Sequence, residues 1–163
     1  TPERPVGIGW QGVMMFCEKL TALERDSGTL PAGYSFRLPT EAEWEYTCKT
    51  GMEGLSGELG NYAWYKQSSD GKVQPPGRLN PNAWGVYDMR GNVWEWCYDR
   101  FTLYKGEERR DPWGPGDGSH KVYRGGSARS PAFMCSPTHR VDMGRFFQND
   151  LVGFRVVLAP TIR

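Results

Sequence analysis

Histidine is scarce in this chain of 163 residues, with only His120 and His139. Its four cysteines, Cys17, Cys48, Cys97 and Cys135, show no Cys-x-x-Cys spacing. Together these shortages argue against zinc, which takes closely spaced ligands from the same residue types. They also exclude a three-histidine metal centre. Charge of one sign is missing too: 20 Lys and Arg face 19 Asp and Glu, a net charge of +1. A nucleic-acid surface needs clustered basic charge, and the densest basic spot, Glu107-Glu108-Arg109-Arg110, carries its own acids. No apolar run reaches membrane-span length, and no signal peptide is visible. The chain starts at Thr1 without a methionine. Upstream sequence is therefore expected to have been removed, and the missing signal leaves localisation open.

Glycine (21), proline (12) and tryptophan (7) are plentiful. That mixture predicts an irregular, loop-rich domain pinned by aromatics rather than a helical bundle. The length predicts a single domain over residues 1–163 with its own core. Three of the seven tryptophans fall in the stretch Asn82 to Cys97. Such rings anchor a core because each removes much apolar area from water. Asp88 and Glu95 sit among them, and a buried carboxylate needs a partner or a metal. The turn pair Gly91-Asn92 separates the two and can bring them to one point. Two arrangements satisfy the carboxylates. They hold a cation together, or Asp88 caps backbone amides while Glu95 pairs with an arginine.

Along the chain, residues 1–9 read as extended. From Trp10, the apolar residues Val13, Phe16, Cys17, Leu20 and Leu23 recur at helical spacing and predict a core-facing stripe ending at Gly28. Tyr34 to Leu38 alternates like a short strand. Thr40-Glu41-Ala42-Glu43 is a capping-box pattern opening a helix to about Lys49, with Glu41 and Glu43 at the positive end of its dipole. That helix carries Ala42 and Tyr46 on one side and Trp44 and Cys48 on the other, as if wedged between layers. Residues 51–81 read as a long loop held by Tyr62 to Tyr65. A second loop runs from Asp99 to His120, with a turn signal in Asp111-Pro112-Trp113-Gly114-Pro115. Val122 to Ser127 predicts a strand ending in a glycine pair, and Gly153 to Leu158 the best strand of the chain. Residues 128–152 show no clean period.

Five stretches in order carry a resemblance: Pro5-Val6 with Trp10, Arg37 to Tyr46, Gly91 to Trp96, Arg124-Gly125-Gly126-Ser127, and Gly153-Phe154-Arg155. Together they resemble the formylglycine-generating enzyme / sulfatase-modifying factor family. The resemblance implies an α+β, C-type-lectin-like fold with two helices, short antiparallel strands and long irregular loops, here without the family's N-terminal strand. It implies a structural calcium site at the side chains of Asp88 and Glu95 and the carbonyls of Gly91 and Val93, a mixed oxygen set suited to that ion. A second calcium site near Asn61 and Asp70 is not assigned. Catalytic family members bind copper(I) through two cysteines after the Gly-Gly-Ser stretch, soft ligands for a soft ion. Those positions fall on Ser130 and Cys135, so copper is not expected. The family disulfides do not carry over. The four cysteines form two disulfides, one or none, and Cys97 and Cys135, which both flank the expected active-face loops, are a candidate pair. Iron-dependent relatives draw on histidines of another domain. Two histidines and a carboxylate are arithmetically available here, but no spacing supports them.

In the family, the segment from Ala128 to Val152 lines the active or ligand-binding face. In this chain Arg129, Phe133, His139, Arg145, Phe146 and Phe147 are its candidate contacts, with an aromatic-and-arginine composition typical of recognition. The Phe146-Phe147 pair is exposed there or packs beneath the loop. The reading is a catalytically silent, calcium-stabilised binding module for a protein or small molecule, with no nucleic acid or membrane-span role. The alternative is an oxidoreductase using Cys135. Calcium leans the expected setting towards an extracytoplasmic one.

Overall fold

The structure, a computed structural model, describes residues 5, 7–51, 58–103 and 119–162. The turn at Asp111 to Pro115 and the basic spot at Glu107 to Arg110 lie outside the described residues.

Helix α1 spans Trp10–Asp26. Its buried face is Val13, Cys17 and Thr21, spaced by four, rather than the predicted stripe. Phe16 and Leu23 are exposed. The helix meets the core along one narrow line, where Thr21 Oγ1 accepts from Phe36 N at 2.9 Å and donates to Phe36 O. That polar tie to strand β1 (Tyr34–Arg37) fixes the rotation of the helix and turns the wider apolar stripe outward. Helix α2 spans Glu41–Thr50 and forms the predicted capping box. Glu43 N donates to Thr40 Oγ1 at 3.2 Å, and Thr40 N donates to Glu43 Oε2 at 2.8 Å. Glu41, Trp44 and Cys48 form its buried face. Tyr46 is exposed and meets exposed Trp84 ring to ring at a tilt, so the helix is not apolar-buried on two sides.

The central sheet has four strands in the order β6-β5-β4-β7. They are β4 (Trp94–Arg100), β5 (His120–Arg124), β6 (Arg140–Gly144) and β7 (Val152–Gly153). Strand β4 runs antiparallel to β5 and parallel to β7. Two small pairs flank it: β1 antiparallel with β8 (Val157–Pro160), and β2 (Ala63–Trp64) parallel with β3 (Arg90–Gly91). The two parallel pairings depart from the all-antiparallel expectation. The run Gly153 to Leu158 is not one strand. It divides into β7 and β8, which join different sheets, because residues 154–156 turn away between them. Strand β6 lies inside the segment that shows no period.

Two clusters of buried side chains flank the sheet. One gathers Val13, Cys17, Leu38, Trp94, Trp96, Tyr123 and Val152. The other gathers Trp44, Cys48, Met89, Cys97 and Val122 under α2. The architecture is α+β: two helices, short strands and long connections. Among the described residues, no helix is long and apolar enough to cross a membrane.

Candidate functional site

The turn between β3 and β4 is set by its backbone. Gly91 has φ 79°, and a Cβ there would collide with Trp64 O. Asn92 follows with φ 63°, a conformation asparagine tolerates better than most residues. Its side chain accepts from Gln74 N at 2.9 Å and donates to Gln74 O at 3.1 Å. Its backbone donates to Trp64 O at 2.7 Å and accepts from Ala128 N at 2.8 Å. One buried asparagine thus joins three segments of chain to the β3–β4 turn, a role its place in a turn signal did not reveal.

The turn brings Asp88 and Glu95 to one cavity of about 570 Å³, which Val93, Tyr87, Phe154 and Arg155 also line. Gly91 lies outside that lining. Glu95, only 6% exposed, is held on both oxygens. Arg155 Nε donates to Oε2 and Nη2 to Oε1, each at 2.6 Å, and Trp44 Nε1 donates to Oε2 at 2.7 Å. Asp88 sits at φ 55° and accepts from Gly77 N at 2.7 Å through Oδ2. Burial pushes its carboxyl pKa up; the Gly77 amide opposes that, and nearby Glu95 adds to it. The donors are hard oxygens, and none of the described lysines or arginines forms an ion pair with Asp88. Asp88 thus caps a backbone amide while Glu95 pairs with an arginine, the second of the two arrangements open to these carboxylates, and their oxygens are of the hard kind that calcium takes. Among the described residues, no three His, Cys, Asp or Glu side chains converge as a metal-holding group, so a metal here would also need backbone carbonyls.

A larger charge lattice lies one strand away. Arg124, with 0% of its side chain exposed, donates from Nη1 to Glu41 Oε1 at 2.5 Å and from Nη2 to Glu45. Arg140 donates to both Glu41 oxygens at 2.7 and 2.5 Å. Asp99 accepts from Glu41 N at 2.7 Å. Burial, assisted by Glu41, pushes the Asp99 carboxyl up to about 6, against the pull of that amide. On sequence alone Glu41 was a helix-dipole residue. Its spacing of four from Glu45 was the available sign that both face one partner.

The thiol positions are separate from these carboxylates. Ser130 is buried; its Oγ accepts from Ser127 N and bonds to Ser127 Oγ, each at 3.0 Å. Cys135 is buried against Gly126, where a Cβ would stand 2.6 Å from its sulfur. Burial pushes its thiol up to about 11, with Arg90 opposing. The candidate disulfide does not form: all four cysteines are free. Cys97 packs in the cluster beneath α2, whereas Cys135 belongs to the turn Ala132–Cys135 against Gly126.

The segment 128–152 divides. Phe133 and Phe146 are 63% and 69% exposed. Arg145 is exposed and lies over the Phe146 ring at 4.9 Å. Exposed Arg129 reaches Gly71 O at 3.1 Å and Asp150 at 3.7 Å. His139 is half-buried between Phe133 and Trp94, with centroids 5.7 and 6.0 Å away. Burial and then Arg124 lower its pKa. Phe147 packs against the core instead. The turn after β6, closed by Phe147 N to Gly144 O at 2.8 Å, sends Phe146 out and Phe147 in.

The profile of the family described as sulfatase-modifying factor enzyme 1-like domain matches residues 2–160. The formylglycine-generating enzyme of Bos taurus is 35% identical over 158 residues, which cover 85% of this chain and 37% of that protein. That of Streptomyces coelicolor is 39% identical over 111 residues, covering 56% and 35%. The serine/threonine-protein kinase pkn1 of Chlamydia pneumoniae is 31% identical over 158 residues, covering 92% and 23%. The chain thus spans about a third or less of the length of these curated relatives. Among solved structures, Treponema denticola variable protein 1 aligns with a TM-score of 0.84 and 30% identity, covering 94% of this chain and 70% of its own. PvdO from Pseudomonas aeruginosa aligns at 0.79 and 27%, covering 97% and 63%.

Proposed function

The chain belongs to the sulfatase-modifying factor enzyme 1-like domain family, and from that premise we propose a lectin-like binding module rather than a thiol oxidase. Its ligand face is residues 128–152, and its scaffold is stabilised by calcium at Asp88 and Glu95. The carrying observation is the contrast within one segment. Ser130 stands at the apparent first thiol position with its hydroxyl committed to Ser127. Phe133 and Phe146 stand out in solvent, with Arg145 over the Phe146 ring and Arg129 exposed in the same segment. Burial pushes the Cys135 thiol up to about 11, so without a metal it is neutral at pH 7 and not a ready nucleophile. The ligand is a protein or a small molecule met by aromatic and guanidinium groups.

Calcium, when bound, supplies a charge that ties loops lacking ladder hydrogen bonds; Asp88 and Glu95 would hold it with the Gly91 and Val93 carbonyls. The deciding experiment measures oxygen consumption with copper(I) and a sulfatase-type cysteine peptide. No consumption above buffer is expected, and turnover would overturn the reading. A second reading, an oxidoreductase using Cys135, has support in the names of the curated relatives. Copper(I) uptake by the wild type that is lost in Cys135→Ala would favour it.

A further inference from the structure

Arg155 already does what a bound cation would do for Glu95. Its guanidinium meets both carboxylate oxygens at 2.6 Å, and Nη2 also donates to Tyr87 O at 3.1 Å. Trp44 fixes Oε2 at 2.7 Å. The ion pair is therefore bidentate, the strongest form of the arginine–carboxylate contact. Asp88 faces the same cavity with no such partner. Two carboxylates and one guanidinium leave the site one positive charge short of neutrality. Residues 154–156, which carry Arg155, belong to no strand, so the guanidinium can withdraw without breaking a sheet ladder.

We infer that Arg155 is an internal competitor of calcium for Glu95. The inference rests on the calcium reading above. Guanidinium and ion draw on the same oxygens, and a divalent charge entering beside a fixed positive group meets repulsion that a partly dry cavity screens poorly. Arg155 therefore holds the turn together in the absence of calcium and weakens the ion's hold when it arrives. Calcium binding in turn loosens Arg155 from Glu95 and Tyr87.

Calorimetric titration of calcium into the wild type, Arg155→Gln and Asp88→Asn tests this. Glutamine keeps a donor for Glu95 but removes the charge. Arg155→Gln is expected to bind calcium at least tenfold more tightly than the wild type, and Asp88→Asn more weakly. Equal or weaker binding by Arg155→Gln, with measurable binding by the wild type, overturns the competition and leaves the calcium site standing. No binding by either protein overturns the calcium reading and the inference with it. A nitrogen-15 spectrum of the wild type serves if Arg155→Gln does not fold. The Arg155 Nε–H signal is expected to move as calcium is added. A signal that stays fixed while calcium binds overturns the inference.

Discussion

The stretch Asn82 to Cys97 and the segment 128–152 touch, yet they use the same residue types in opposite ways. They meet where Ala128 N donates to Asn92 O and where β7 pairs with β4. In the first, Trp94, Trp96, Asn92 and Glu95 are all buried. In the second, Phe133 and Phe146 face solvent. The arginines divide the same way. Arg124 and Arg155, outside both regions, neutralise buried carboxylates, as does Arg140 at the sheet end of the second, whereas Arg145 lies over its own neighbour and Arg129 reaches a carbonyl and an exposed aspartate. Polar groups inside the scaffold are paired there, whereas those on the outer side of segment 128–152 meet solvent. A face built this way can change without unfolding what carries it.

The comparison breaks most visibly if the buried lattice proves dispensable. Arg124→Met strips Glu45 of a buried partner and leaves Glu41 with Arg140 alone. It is expected to lower stability in urea unfolding by about 3–5 kcal/mol, the usual cost of a broken buried pair. A loss below 1 kcal/mol would place Arg124 among the face arginines in energetic terms.

Asp99 sharpens the same side through pH. Its folded pKa, about 6, lies above the ordinary 3.8, so the folded state holds this proton more tightly than the unfolded one. Its contribution to stability is therefore fully present below about pH 4, is lost as pH rises towards 6, and is absent above. Asp99→Asn keeps an acceptor for Glu41 N and removes the titration. The wild-type protein should lose stability relative to Asp99→Asn between about pH 4 and 6 in parallel unfolding series, by at most about 3 kcal/mol for a shift of two units. Parallel curves would remove Asp99 from the buried lattice.

Asn92→Ala tests the contact between the two regions. It removes two side-chain bonds and places alanine at positive φ, so a loss of about 2–3 kcal/mol is expected in thermal unfolding. Asn92→Gly relieves the backbone and should recover part of that loss. The smallest effect belongs to Phe146→Ala. An exposed ring contributes little to folding, and the melting midpoint should move by no more than a change of about 0.5 kcal/mol would produce. Binding to any ligand captured by the wild type should nonetheless fall at least tenfold.

Features closed within a few residues were legible. The capping box at Thr40 and Glu43 is local and formed as read. So did α1, and so did the meeting of Asp88 and Glu95 across Gly91-Asn92. Features that depend on a distant partner were not. The face of α1 was misjudged because Thr21 bonds to Phe36 across the chain and sets the helix rotation. Strand β6 gave no alternation because all five of its residues are half-buried at the edge of the sheet, where neither face is fully closed. Glu41 looked like a terminal charge because Arg124 and Arg140 lie 83 and 99 residues away.

By itself the sequence determined the two helices, the tryptophan-rich turn and the carboxylate pair within it. These follow from local steric and hydrogen-bond rules and from which atoms a side chain has. Only the tertiary structure decided which cation meets Glu95, which phenylalanine of the Phe146-Phe147 pair faces out, and that Cys97 and Cys135 stay apart. Each of those outcomes depends on what another segment places alongside, and the chain itself records only which groups are available to meet.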